Sequence, residues 1–368
     1  MAASRNVAGP GVAGPHGVGA DAAGAIPTRP DASGTAITGA DYGTHAAPTS
    51  IGDRTDADAA GIGIADRGEA AQHWRDHGWV LVDGLVPTAD IDYAVEELWN
   101  LYPRPDEFHG GAAEHRNRFV GTSHDQGHKF GKVGDDGPAF RAKQFLGHIL
   151  FPYESPRLNR LQVHPDVTRF ARVAMGLDDI RIYQARIWGK YTGVTNYEQP
   201  FHQDRNHNVV PDRLEPGWWN LEGFLYLSDV EPDVAPTELA GGPADAARPY
   251  VGPPAGERIC AAGVRGSFLA YRPDVWHRGV DLSRPGGSRF LMSASFKPGG
   301  ADWIGYDSVQ PVTVGESWIS FAATCTPDEL ALFGAPLPGH PYWTPELVGA
   351  LERRYPGIDA SPWRDALN

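Results

Sequence analysis

Within the run NYEQPFHQDRNH stand His202 and Asp204, an imidazole and a carboxylate with one residue between them. On an extended strand residues i and i+2 point to the same side, so the two groups can converge on one point in space. Two such ligands and one further histidine make a two-histidine, one-carboxylate face. Three positions of an octahedral ion stay open on such a face. That suits iron(II) that must take a cosubstrate and dioxygen together.

The third ligand has to come from a distant strand. The stretch YRPDVWHRGVDLSRPGGSRF offers His277: Tyr271 ends a strand pattern, Trp276 and His277 follow a Pro turn, and a new strand pattern begins near Arg289. Arg289 stands twelve residues beyond His277. A guanidinium at the bottom of a pocket suits bidentate capture of a carboxylate, here the distal end of 2-oxoglutarate. A lone HxD is a weak signal in a long chain. HxD, a distant His and an Arg about a dozen residues on, all within strand patterns, is a much stronger one. The competing reading is a structural His202–Asp204 pair with His277 on the surface.

The elements that must position these groups read as strands between turns. The segment 181–191 (RIYQARIWGKY) alternates, with Ile182, Gln184, Arg186, Trp188 and Lys190 on one face and Tyr183, Ala185, Ile187 and Tyr191 on the other. Further strand patterns lie at 79–82, 221–229, 264–271 and 289–297, separated by Pro and Gly. Short strands between turn signals over such a length predict a sandwich or barrel. Ahead of them, helices are expected near 69–76, from Thr88 (as cap) through Tyr102, and over 156–176; short helices broken by Pro are expected over 326–368. His109, His115, His124 and His128 fall in a polar, Gly-rich stretch. His124 and His128 have the spacing of a helical metal pair, but Gly127 weakens a helix there and a loop with solvent histidines is the plainer reading.

Composition fits an enzyme core. The chain has 368 residues, 41% of them hydrophobic, enough for a sizeable core, with 45 Gly and 32 Pro that favour a turn-rich body. Net charge is −14, which excludes a broad basic face for nucleic acid. Two cysteines, Cys260 and Cys325, make neither a disulfide framework nor a zinc motif, and a reducing setting fits them. No secretory signal and no membrane span is readable, so a cytoplasmic protein is expected. Residues 1–65 hold almost no large apolar side chains and read as a disordered tail. Residues 66–315 then carry the catalytic domain, and 316–368 form a helical extension packed on it.

At PFHQD, and over roughly residues 70–300, the chain resembles the phytanoyl-CoA dioxygenase family of iron(II)/2-oxoglutarate oxygenases. The resemblance implies a mainly β protein with flanking helices, its core a double-stranded β-helix (a jelly roll, cupin-like). It implies iron on His202, Asp204 and His277, and Arg289 on the far carboxylate of 2-oxoglutarate. It places Gln203 near that cosubstrate, and Lys143 in RAKQF where the family often has a second basic contact. Two features depart from the family: the stretch DVAPTELAGGP replaces a PGSH-like turn, and Arg278-Gly279-Val280 follows the distal His in place of a Ser or Thr.

The reaction so implied couples oxidative decarboxylation of 2-oxoglutarate, with dioxygen, to hydroxylation of a small molecule such as a natural product, an amino acid or an acyl derivative. Asp204 favours hydroxylation, since halogenating relatives lack the carboxylate. Gln184, Arg186 and Trp188 touch substrate if their face lines the pocket, a point alternation alone leaves open. Arg205 and Trp218 are candidates for the pocket rim. A monomer or homodimer without nucleic-acid or membrane partners is expected. The alternatives are a cupin-like metal-binding protein without activity, and a zinc hydrolase with the same three ligands.

Overall fold

The computed structural model describes residues 63–110, 148–192, 199, 201–204, 216–240, 258–301, 304 and 316–367, all within the compact unit 51–368. Lys143, Arg205, His115, His124, His128 and residues 1–62 of the expected tail lie outside the described residues, whereas residues 63 and 64, expected in that tail, form a strand.

Two sheets carry the site. Strands β1 (Gly63–Ile64), β2 (Trp79–Val82), β3 (His148–Leu150), β4 (Ile180–Tyr191), β5 (Glu222–Tyr226), β8 (Phe268–Tyr271) and β10 (Ser288–Pro298) form the larger, in the order β1-β2-β8-β5-β10-β4-β3. The smaller has the order β7-β6-β9, with β6 at Thr237–Ala240, β7 at Arg258–Ala261 and β9 at Trp276–Gly279. Beyond β9, His202 forms an antiparallel bridge with His277, which adds the segment around His202 to the edge of the smaller sheet. From β4 onward the chain passes back and forth between the sheets, and all pairings except β1–β2 are antiparallel. This is the double-stranded β-helix, or jelly roll.

The faces separate by chemistry. Trp79, Leu81, Tyr226, Leu269, Tyr271 and Leu291 of the larger sheet cluster with Leu239 and Ala261 of the smaller one, which defines the space between the sheets. The opposite face of the larger sheet, including Val80, Val82, Ala185, Ile187, Phe268 and Met292, packs on helices in one extensive apolar core. Those helices include Arg67–His77, Thr88–Leu101, Pro165–Met175 and, near the C-terminus, Glu316–Ala322 and Ser361–Asp365.

Three local expectations are corrected. In β4, Ser295 pairs with Gln184 but Phe296 pairs with Ile182, so Tyr183 is an extra residue and the alternation resets. Ile182 therefore shares the helix-side face with Ala185 and Ile187, while Gln184, Arg186, Trp188 and Lys190 face between the sheets. The helix expected over 156–176 is two helices, Pro156–Gln162 and Pro165–Met175. His164 precedes a proline, which disfavours helical backbone there, and its side chain caps the second helix by accepting from Asp166 N. Thr88 does not cap the helix it begins: Pro87 holds the N-cap position, without a side-chain bond.

The C-terminal helices belong to the same apolar core: Trp318, Phe321 and Trp363 are at most 4% exposed within it. Trp363→Ala should cost about 3–5 kcal/mol by opening a cavity. Chemical denaturation should still show a single transition, and a separate early transition for the C-terminal segment would contradict this packing.

Candidate metal centre

His277 lies in β9 opposite Leu239, a residue of the inter-sheet cluster, so its ring points between the sheets. Its backbone exchanges two hydrogen bonds with His202: His202 N donates to His277 O (3.0 Å) and His277 N to His202 O (2.9 Å). The two rings sit 4.4 Å apart, centroid to centroid. Two residues beyond His202, the Oδ2 of Asp204 lies 3.4 Å from His277 Nε2. One ligand atom from each of His202, Asp204 and His277 lies within 4.8 Å of the others. The three residues that sequence spacing singled out are thus brought together.

This donor set fits a metal ion. His277 Nδ1 is 3.1 Å from Val275 O, a contact that requires Nδ1 to carry its proton and leaves the Nε2 lone pair facing Asp204. Ligands about 2.1 Å from one ion stand roughly 3–3.4 Å apart at octahedral to tetrahedral angles. The Nε2–Oδ2 separation matches this.

A buried scaffold fixes the ring of His277. Tyr271 lies against it with ring centroids 4.5 Å apart. The turn between them is tied by Arg272, whose Nε and Nη2 grip the Asp274 carboxylate at 3.0 and 2.9 Å while its backbone N donates to Gly78 O. Arg272 also lies over the Trp219 ring, 4.5 Å from its centroid. The side chain of Gln203, the residue between the two inward ligands, donates from Nε2 to Asp274 O. Side chains alternate along an extended segment, so the residue between two inward ligands points away from them. Gln203 braces the segment of His202 and Asp204 against the turn before His277.

Arg289, the second residue of β10, lies on the inter-sheet face, is 6% exposed, and donates from Nη1 to Ala235 O at 2.7 Å. Arg186 is 1% exposed, and burial lowers its guanidinium to about 10 against the pull of Tyr153 and Asp204. It stays cationic at neutral pH. Burial also raises the Tyr271 phenol well above its ordinary range, helped by Asp204 and Glu222. Arg186 and Tyr271 therefore both lie in the electrostatic reach of Asp204. Gln184 and Trp188 share the face of Arg186, whereas Trp218 is 41% exposed and its neighbour Trp219 packs edge-on against Trp74. A cavity of about 760 Å3 lined by Tyr153, Asn159, Arg160, Trp318 and Phe321 shares no residue with the cluster, and Tyr153 in its wall is in electrostatic reach of Arg186.

Sequence reading missed the Tyr271–His277 contact and the Arg272–Asp274 pair. Their signal was the spelling YRPDVWH itself, a buried aromatic and a self-paired Arg-x-Asp ahead of the histidine.

No family model and no curated protein matches this chain. Among solved structures, it overlaps the epimerase SnoN in complex with Fe3+, alpha ketoglutarate and nogalamycin RO at 16% identity, over 63% of this chain and 83% of that one, with a TM-score of 0.43. AviO1 from Streptomyces viridochromogenes overlaps at 17% identity, over 65% and 97%, with a TM-score of 0.45. The non-heme alpha ketoglutarate dependent carbocyclase SnoK overlaps at 14% identity, over 62% and 83%, with a TM-score of 0.43. These are partial overlaps.

Gln203→Leu removes the brace while leaving all three ligands. Affinity for a divalent ion should fall about 10- to 100-fold, as for other loss of support behind a ligand. Calorimetric titration with zinc(II) on the intact chain reads this out. An unchanged affinity would remove Gln203 from the scaffold.

Proposed function

We propose that this chain is an iron(II)- and 2-oxoglutarate-dependent oxygenase that hydroxylates a small molecule in the cytoplasm. The observation that carries the reading is the convergence of His202, Asp204 and His277 between the sheets, with Arg289 buried on the same inter-sheet face. The likeness of PFHQD to the phytanoyl-CoA dioxygenase signature supports it.

His202, Asp204 and His277 would hold the ion. Bound there, iron(II) supplies dioxygen activation coupled to decarboxylation of the 2-oxo acid. The protein's part is placement. Val275 O fixes the tautomer of His277 so that Nε2 is the ligand atom. Arg289 offers a planar fork of donors to the far carboxylate of the cosubstrate. The inter-sheet apolar wall of Leu239, Leu269 and Leu291 excludes water from the intervening space. Arg186, Gln184 and Trp188 line the same face, and Arg186 would meet an anionic or strongly polar group of the substrate. Lys143 and Arg205 stay candidates from sequence alone.

Anaerobic addition of iron(II) and 2-oxoglutarate should give a visible charge-transfer band, lost in His202→Ala and Asp204→Ala. Admission of air should release succinate. A bound ion with neither band nor succinate would favour the inactive cupin-like protein. Hydrolysis with zinc(II) and no use of dioxygen would favour the hydrolase. Succinate yield against acyl-CoAs, free amino acids and polycyclic natural products would then identify the substrate class.

A further inference from the structure

The helix Arg67–His77 places His73 and His77 one turn apart at its C-terminal end. Residues at i and i+4 lie one above the other on a helix face. The two rings stand 4.3 Å apart, centroid to centroid, with 38° between their planes. At that spacing one nitrogen of each ring can lie about 3 Å from the other, the separation of adjacent ligands about 2.1 Å from one ion. Nε2 of His73 is buried and has no hydrogen-bond partner, a condition that native structures rarely leave unexplained. His77 is exposed, so its ring can turn toward that nitrogen.

The surroundings suit a cation. Burial, and then the neighbouring His77 ring, lower the His73 imidazole below its ordinary range. At neutral pH it therefore offers a lone pair that no proton contests. Glu69 and Asp76 bring negative charge to the same ring. Gly78 ends the helix in left-handed backbone directly after His77. The pair thus sits at the negative end of the helix dipole, where positive charge is stabilised.

The position ties the pair to the rest of the molecule. Trp79 meets the His73 ring edge-on at 5.1 Å and is the cross-strand partner of Tyr271, which lies against His277. Arg272 donates to Arg75 O and to Gly78 O at the same helix end. The pair shares no residue with the cluster of His202, Asp204 and His277.

We propose that His73 and His77 form a second metal site, a two-imidazole clasp for copper(II) or zinc(II) with water completing the coordination. Imidazole suits both ions, and copper(II) heads the affinity order of the divalent first-row series. The bound ion clasps the end of the helix Arg67–His77 that receives Arg272. This site stands independently of the oxygenase reading.

The test is titration of the full chain with copper(II), read by stoichiometry and by electron paramagnetic resonance. The wild-type chain should bind one equivalent more than His77→Gln. Loss of one arm of a chelate should weaken the site about 100-fold or more, and His73→Gln should give the same loss. In a His202→Ala background, which disables the first centre, the same one-equivalent difference should persist. There the spectrum of that equivalent should carry splitting from two nitrogens. If His202→Ala does not fold, the wild-type comparison decides by itself. Equal stoichiometry with and without His77, or a spectrum unchanged by His77→Gln, overturns the second site.

Discussion

The backbone pairing of His202 with His277 is the contact on which the site depends. The two residues are far apart in the chain, and their reciprocal hydrogen bonds hold them side by side at the edge of the smaller sheet. Because the pairing is antiparallel and the residues are directly opposite, both rings emerge on one face. The register also sets the neighbours. Gln199 exchanges hydrogen bonds with the backbone of Gly279 on one side of the pair, and Gln203 reaches Asp274 on the other. A slip of one residue would turn His277 away from Asp204 and bring Arg278 inward in its place. Arg278 is kept outside by Glu238, 2.6 Å from its Nε, and by the Phe201 ring beneath its guanidinium.

The two faces of the larger sheet divide stability from chemistry. The helix side is continuous apolar packing from Trp74 through Phe290 to Trp363. The inter-sheet side is layered. Along β4 and β10 the cross-strand pairs run Lys190/Arg289, then Trp188/Leu291, then Arg186/Ser293. Cations therefore stand on either side of one apolar layer, with Arg186 in the electrostatic reach of Asp204. Buried cations on a sheet wall weaken a fold on balance, and the extensive helix-side core supplies the stability that tolerates them. The same low-dielectric surroundings strengthen their pull on any anion that enters.

The chemistry-bearing residues were legible because ligand chemistry constrains residue type and strand spacing together. His202 and Asp204 read as a pair, and His277 with Arg289 gave that pair a partner. The five longer or more apolar strand patterns were legible too, β4 and β10 above all, from their length and β-branched or aromatic content. The smaller sheet was not. Its strands are four residues each, TELA, RICA and WHRG, with Thr237 and His277 on the inward face and Ala240, Cys260 and Trp276 on the outward one, too short and too mixed for periodicity to register.

Sequence by itself picked out the three residues that converge between the sheets, the strand-rich class and the polar character of one face of β4. Tertiary structure decided which side of that strand is inside, because alternation has no direction until a second sheet covers one face. It also decided that Ile182 leaves the face of Arg186, since the extra residue at Tyr183 shows only in the pairing with β10. It gave Gln203 a hydrogen bond to Asp274 O, which ties the segment of His202 and Asp204 to the turn before His277. And it set Lys190 beside Arg289, since the register between two strands nearly a hundred residues apart is written in their pairing and in neither strand alone.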